Sequence, residues 1–96
     1  MIKILAKGSL KPGFWEKAAP LYKELIENTH QEEGCLEYVL YVETEDENKY
    51  CMVETWASEE ALAAHMQSAH FTRIIPQLRA FSGGPSEMSK LKVYPL

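Results

Sequence analysis

The sequence has no apolar run near the roughly 20 residues that a helix needs to cross a membrane. Its N-terminal segment, MIKILAKGSLKPGF, also lacks the long apolar region and cleavage site of a secretory signal. Only 10 Lys and Arg oppose 14 Asp and Glu, and they do not cluster as phosphate contacts require. We therefore expect a cytoplasmic protein that has neither a membrane nor a nucleic acid as partner.

Several motifs of cofactor and covalent chemistry are also missing. The sequence has no Gly-x-Ser-x-Gly elbow and no Cys-x-x-Cys pair, and its Ser-Gly-Gly-Pro segment at 82–85 lacks the Lys and helix of a phosphate loop. The two cysteines, Cys35 and Cys51, fall on the order of 20 Å apart in the hairpin described below, too far for a disulfide. We expect two buried free thiols and no bound nucleotide, flavin or other cofactor.

What the sequence does contain is a regular alternation of strand and helix patterns. Its 96 residues, 46% of them apolar, suit one domain spanning 1–96. The apolar spacing predicts a strand, a helix that stops at Gly34, a hairpin, a broken helix after Ser58 and a closing strand. This βαββαβ order is typical of an α+β, ferredoxin-like antiparallel sheet with helices on one face.

The hairpin is formed by CLEYVLYVE and KYCMVETWA, and both of its faces are apolar. Its predicted register sets Tyr38 opposite Glu54 and Leu36 opposite Trp56. Two helical segments can cover only one side of the sheet, which leaves the other side as an apolar patch of the kind found at interfaces. We expect a homodimer through the uncovered face, which carries Val39, Tyr41, Cys51 and Val53.

The strongest candidate for chemistry is His65, which lies on the inward stripe of its helix beside Leu62 and Met66. The nearest inward carboxylate that the pattern offers is Glu54, on the facing sheet. Imidazole suits proton transfer near neutral pH, so we predict His65 as proton acceptor and Glu54 as its catalytic partner. The alternative is purely structural: a core histidine satisfied by a carbonyl or water, and a buried pair that only stabilises the fold.

Aromatic residues accompany this pair on the same face. Tyr38, Tyr50 and Trp56 would form a wall suited to a flat aromatic ligand, although aromatic residues on a sheet also occur as ordinary core. His70 follows His65 by five positions, about 140° around an undistorted helix, so the two cannot bind one metal ion from such a helix. We predict no metal site.

The segments EEGCLEYVLY and VETWASEEALAAHMQSAHF resemble the antibiotic biosynthesis monooxygenase family. In that family a Glu-x-Gly-Cys-x-x-Tyr strand start precedes Glu-x-Trp and a helix ending in His-x-x-Ser-x-His-Phe. The likeness runs in order over nearly the whole chain. The residues matched to these motifs are Glu33, Gly34, Cys35, Tyr38, Glu54, Trp56, Ser58, Ala61, His65, Ser68, His70 and Phe71.

This resemblance implies a dimeric α/β barrel in which each subunit keeps a pocket between its helices and its sheet. For the oxygenase members it implies oxidation of a small phenol or quinol by O2 without metal or flavin, the deprotonated substrate supplying the electron. His65 and Glu54 would then be the catalytic residues. Substrate contacts are assigned to Tyr38, Tyr50, Trp56 and His70.

Two other activities of similar proteins, and one non-catalytic role, have to be weighed. The haem-degrading branch uses an Asn on the first strand and a Trp on a later helix. Here no Asn precedes Asn28, and His65 stands where that Trp would align, which argues against haem breakdown. A cofactor-free isomerase of a small metabolite, and a dimeric module that only binds a small molecule, stay open as alternatives.

Overall fold

The computed structural model describes all 96 residues. Its elements, in chain order, are β1 (Ile2–Ser9), α1 (Trp15–Thr29), β2 (Cys35–Glu43), β3 (Asp46–Trp56), α2 (Glu59–Met66), α3 (Ala69–Arg79) and β4 (Glu87–Leu91). The four strands form one antiparallel sheet in the order β2-β3-β1-β4. This confirms the predicted α+β, ferredoxin-like fold. None of the three helices is long and apolar enough to span a membrane.

The three helices cover a single face of the sheet, as predicted. The covered face, here called the inner face, contributes every buried sheet residue: Ile4, Tyr38, Met52, Glu54 and Trp56. Buried residues of α1 recur at three- and four-residue steps, as one side of a helix requires, and are Ala18, Tyr22, Leu25 and Thr29. The molecule measures 40 × 33 × 18 Å, and its smallest extent fits one helical layer packed on one sheet.

The opposite face of the sheet, here called the outer face, has no helix against it and no fully buried residue. Val39 and Tyr41 are 36% and 52% exposed there. Towards one end, Lys3 Nζ donates to Glu37 Oε1 at 2.8 Å and to Thr55 Oγ1 at 3.0 Å. The outer face is thus an apolar surface bounded by an ion pair.

The predicted hairpin register is confirmed at its centre and wrong at both ends, since Glu43 pairs with Asp46 across the turn and the ladder is also irregular near Cys35. Tyr38 pairs with Glu54 as predicted, but Trp56 pairs with Cys35 instead of Leu36. The cause is an irregularity between Cys35 and Glu37 that displaces Leu36 from the ladder and leaves it 58% exposed. Both cysteines are free, as predicted, although they are half-buried and not buried.

Helix α1 ends at Thr29, five residues before the Gly34 that was predicted to stop it. Gly34 has another role. A Cβ atom built on it would lie 2.2 Å from Ala61 Cβ, so only glycine allows α2 to approach the start of β2 this closely. The chain between Thr29 and Gly34 becomes a connection that lies beside α2, and it holds Glu32.

A serine begins each of the two helices that follow β3. Ser58 Oγ accepts from the Ala61 amide at 3.1 Å, which confirms the predicted cap of α2. Ser68 Oγ accepts from the Phe71 amide at 3.3 Å and donates to the His65 carbonyl at 2.6 Å, so it ends α2 and begins α3. The chain therefore changes direction between His65 and His70.

Candidate functional site

His65 is 1% exposed and lies on the side of α2 that faces the sheet. Its Nδ1 atom is 2.7 Å from Glu32 Oε2, while its Nε2 atom is inaccessible to solvent and has no hydrogen-bond partner. An ionised carboxylate can only accept, so Nδ1 carries the proton of the neutral ring. The lone pair of Nε2 is consequently left free to take a proton.

Glu32 also binds the second histidine. His70 Nε2 is 2.8 Å from Glu32 Oε2 and 3.2 Å from Ser68 Oγ. One carboxylate oxygen thus joins two imidazole rings from two different helices. The 140° separation expected for an undistorted helix does not apply, because the break at Ser68 turns His70 back towards His65. We refer to Glu32, His65 and His70 as the carboxylate–histidine cluster.

Three aromatic rings surround the imidazole of His65. The ring centroids of Trp56, Phe71 and Tyr38 lie 4.5, 4.9 and 5.2 Å from it. Burial in these surroundings lowers the pKa of His65, and the bonded Glu32 opposes part of that effect. Burial likewise raises the pKa of the Tyr38 hydroxyl. Both groups are therefore neutral at pH 7.

Glu54 does not form the expected pair with His65. Its Oε1 atom accepts from Trp56 Nε1 at 3.0 Å, two residues along the same strand face. Glu54 is 7% exposed, and burial raises the pKa of its carboxyl group despite that hydrogen bond. Its contact with His65 is thus indirect: the carboxyl group holds the indole ring that packs against the imidazole.

The structure brings together five of the six residues assigned to the site, namely Tyr38, Glu54, Trp56, His65 and His70. Tyr50 lies apart from them. It stands four residues before Glu54 on β3, about 13 Å at strand rise, and its ring packs on Tyr22 at 5.9 Å.

Comparison with known proteins identifies the family. Residues 1–77 match the sequence profile described as antibiotic biosynthesis monooxygenase. The chain belongs to this family. It is 26% identical over 93 residues to a Bacillus subtilis protein named "Putative monooxygenase YcnE", a match that covers 97% of this chain and 98% of that protein.

Solved structures agree with this family. A crystal structure described as an antibiotic biosynthesis monooxygenase is 34% identical, with a TM-score of 0.94 and coverage of 99% of this chain and 100% of that chain. A conserved protein from Methanosarcina mazei Go1 is 35% identical, with a TM-score of 0.91 and coverage of 95% and 90%. The family fold therefore extends over nearly the whole chain.

Glu32 is the site residue that the sequence analysis missed. The antibiotic biosynthesis monooxygenase motif was matched to Glu33, the acidic residue directly before Gly34. The spacing Glu-x-Gly selects Glu32 instead, and it is Glu32 that contacts both histidines. Reading the spacing strictly would have found it, whereas helix and strand periodicity could not, because Glu32 belongs to neither kind of element.

None of the larger clefts of the protein is lined by His65. One cleft, with a volume of about 490 Å³, adjoins the carboxylate–histidine cluster at Glu32 and is also lined by Glu33, Glu60 and Ala61. Glu32 and His70 retain 17% and 16% side-chain exposure, against 2% for His65. Solvent therefore reaches the carboxylate side of the cluster and not the aromatic side.

Proposed function

We propose that this chain is a cofactor-independent monooxygenase that oxidises a small phenol or quinol with O2, and that His65 Nε2 accepts the substrate's proton. The observation that carries the proposal is a buried nitrogen without a hydrogen-bond partner, on a ring whose other nitrogen is bound to a carboxylate. Buried polar atoms normally have partners, and an exception calls for a functional explanation.

The proposed reaction begins with the removal of a proton from the substrate, so it requires a base. Removing the phenolic proton converts the substrate into an electron-rich anion, which can give an electron to O2 directly. His65 becomes an imidazolium ion when it accepts that proton, and the carboxylate of Glu32, 2.7 Å away, stabilises the positive charge. A positioned base of this kind contributes roughly 10²- to 10⁴-fold in rate.

The neighbouring residues have supporting roles in this proposal. Trp56 and Tyr38 would contact the substrate ring, and Glu54 would position Trp56 through the bond to its indole nitrogen. His70 would hold Glu32 in place from the solvent side. Among the three rings around His65, Phe71 is the one not fully buried, so its movement is the proposed route by which substrate reaches Nε2.

The direct test is O2 consumption by the EDTA-treated protein over a panel of hydroquinones and naphthols. We expect turnover of some members of the panel, with oxygen incorporated into the product. Binding without O2 consumption would support the non-catalytic module instead. Rearrangement of a substrate at constant O2 would support the isomerase.

We further propose that the protein is a homodimer formed through the outer face. Two copies would cover the exposed Val39 and Tyr41, which no helix covers in one chain. Val53→Glu places a charge in that contact and should produce monomers, because the charge would be buried without a partner. Sedimentation at micromolar concentration measures this, with Met66→Glu on the helical side as the control. A wild-type monomer would contradict the proposal.

A further inference from the structure

We propose that the carboxylate–histidine cluster is a binding site for a divalent transition-metal ion such as Zn²⁺, and that the bound ion blocks proton transfer to His65. Glu32 Oε2, His65 Nδ1 and His70 Nε2 all lie within 4.8 Å of one another. Two imidazoles and one carboxylate are a ligand set that zinc accepts, with water completing a tetrahedron. The binding site stands without the proposed function, and only the blocking effect rests on it.

The two distances that involve the carboxylate require a small adjustment. Glu32 Oε2 is 2.7 Å from one imidazole nitrogen and 2.8 Å from the other. Ligand atoms around tetrahedral zinc are about 3.4 Å apart when the bonds are about 2.0 to 2.1 Å long. The carboxylate must therefore withdraw by roughly half an ångström. Glu32 can do so because it lies in a connection outside the helices and strands.

No basic side chain competes for the carboxylate. The only charged or chargeable partners of Glu32 are His65 and His70, since no Lys or Arg pairs with it. The adjoining cleft adds Glu33 and Glu60 to its lining, and this negative charge favours the approach of cations. An ion can thus reach the cluster from solvent without passing the aromatic rings.

Metal binding would change which nitrogen of His65 carries the proton. A metal ion on Nδ1 needs the lone pair of that atom, so the proton of the neutral ring moves to Nε2. The ring stays neutral and no proton is lost overall. Nε2 then becomes a donor, and it can no longer take a proton from a substrate.

Calorimetric titration of the EDTA-treated protein with Zn²⁺ tests the site without reference to turnover. We expect one ion per chain, and Co²⁺ should give a tetrahedral visible spectrum without a thiolate band. His70→Ala and Glu32→Gln should weaken Zn²⁺ binding by about 100-fold or more, since each removes a direct ligand and even outer partners are worth about 10- to 100-fold. Circular dichroism checks that both variants are folded.

Two matched variants serve as controls. His30→Ala removes the remaining histidine, whose Nε2 lies 3.0 Å from the Tyr38 carbonyl and outside the cluster. Cys35→Ser removes a thiol whose pKa is raised by burial and by the charge of Glu32. Both should bind Zn²⁺ as the wild type does. Absence of saturable binding, or a loss in either control equal to that of His70→Ala, would overturn the site.

The blocking effect has its own measurements. Nitrogen-15 NMR of the His65 ring should show the proton on Nδ1 without metal and on Nε2 with Zn²⁺, whether or not a substrate is known. O2 consumption should fall on zinc addition and recover with EDTA. An unchanged tautomer, or full turnover by the zinc-saturated protein, would overturn the blocking effect and leave the binding result intact.

Discussion

Two aromatic clusters lie on the helix-covered face of the sheet, and only one of them contains ionisable groups arranged for the proposed chemistry. The site cluster places Tyr38, Trp56 and Phe71 around His65, with centroid distances of 4.5 to 5.2 Å. The distal cluster packs Trp15 and Tyr50 against Tyr22 at 5.8 and 5.9 Å. Each cluster therefore contains three aromatic rings, and those of the distal cluster are about 1 Å further apart.

The difference between the clusters lies in the polar groups beside the rings. In the site cluster an imidazole bonds a carboxylate on one side and has no partner on the other. In the distal cluster Trp15 donates to the Glu47 carbonyl, and burial raises the pKa of the Tyr22 hydroxyl. The two clusters therefore differ in the partners of their ionisable groups more than in their aromatic rings.

The largest expected effect is a loss of reaction rate when the imidazole of His65 is removed from the site cluster. His65→Ala should lower kcat/KM by roughly 10²- to 10⁴-fold in the O2 consumption assay, because it removes the proposed proton acceptor. Tyr22→Phe in the distal cluster, which keeps the ring, should leave the rate within a few-fold of wild type. Full activity of folded His65→Ala would remove the catalytic assignment.

The distal cluster should respond in stability and not in rate. Tyr22 is 5% exposed, and Tyr22→Ala leaves a cavity beneath α1. We expect the free energy of unfolding in urea to fall by about 3 kcal/mol or more, as for other large aromatic truncations. The folded fraction should keep its kcat. A loss of kcat comparable to that of His65→Ala would show that the two clusters are not separable.

Glu32→Gln should lower kcat by roughly tenfold, because a charged hydrogen bond is replaced by a neutral one. Glu32 raises the pKa of His65, so removing its charge lowers that pKa further. Activity needs the neutral ring and falls as pH drops through this pKa, so the acid limb of the pH–rate profile should move to lower pH. Glu33→Gln, at the exposed neighbouring position, is the control. An unmoved acid limb would contradict the proposed electrostatic effect of Glu32 on His65.

The smallest expected effect concerns Glu54. Its folded pKa is raised above the ordinary value of 4.5, so its contribution to stability is complete below pH 4.5 and is lost as pH rises through the raised value. Glu54→Gln should therefore raise the free energy of unfolding at pH 7 by on the order of 1 kcal/mol, and this gain should vanish at pH 4.

Glu37→Gln provides a control of opposite sign for Glu54. Lys3 lowers the pKa of Glu37, so its contribution to stability is present above the ordinary value and is lost at low pH. Its replacement should lower stability at pH 7. Urea unfolding of the two variants at pH 4 and pH 7 measures both effects, and equal responses would refute the assignment.

The fold was predictable from the sequence because apolar residues recur at the spacings that strands and helices require. Alternation along β2 and β3 is enough to place Tyr38 opposite Glu54 and both on the inner face. Periodicity fails where a strand becomes irregular, and the displacement of Leu36 is the example. It also fails for Glu32, since a connection has no repeating pattern from which a direction can be inferred.

The sequence analysis found most residues of the candidate site, but it did not find the hydrogen bonds between them. Ser68 indicates a break in the helix, and the sequence analysis predicted that break, yet the angle between α2 and α3 depends on how both pack on the sheet. That angle decides whether His70 approaches His65. The partner of a buried histidine is in this sense a tertiary property, which explains why Glu54 was assigned where Glu32 is found.

The contact between Gly34 and Ala61 affects the position of His65, the proposed proton acceptor. Ala61 lies four residues before His65, on the same side of α2, so the clearance at Gly34 sets the height of the imidazole above the sheet. A methyl group at position 34 would push that turn outward and carry Nε2 with it. Misplacement of about 1 Å can cost on the order of 10²-fold in rate. A larger residue at position 34 should therefore slow the proposed reaction without touching the imidazole itself.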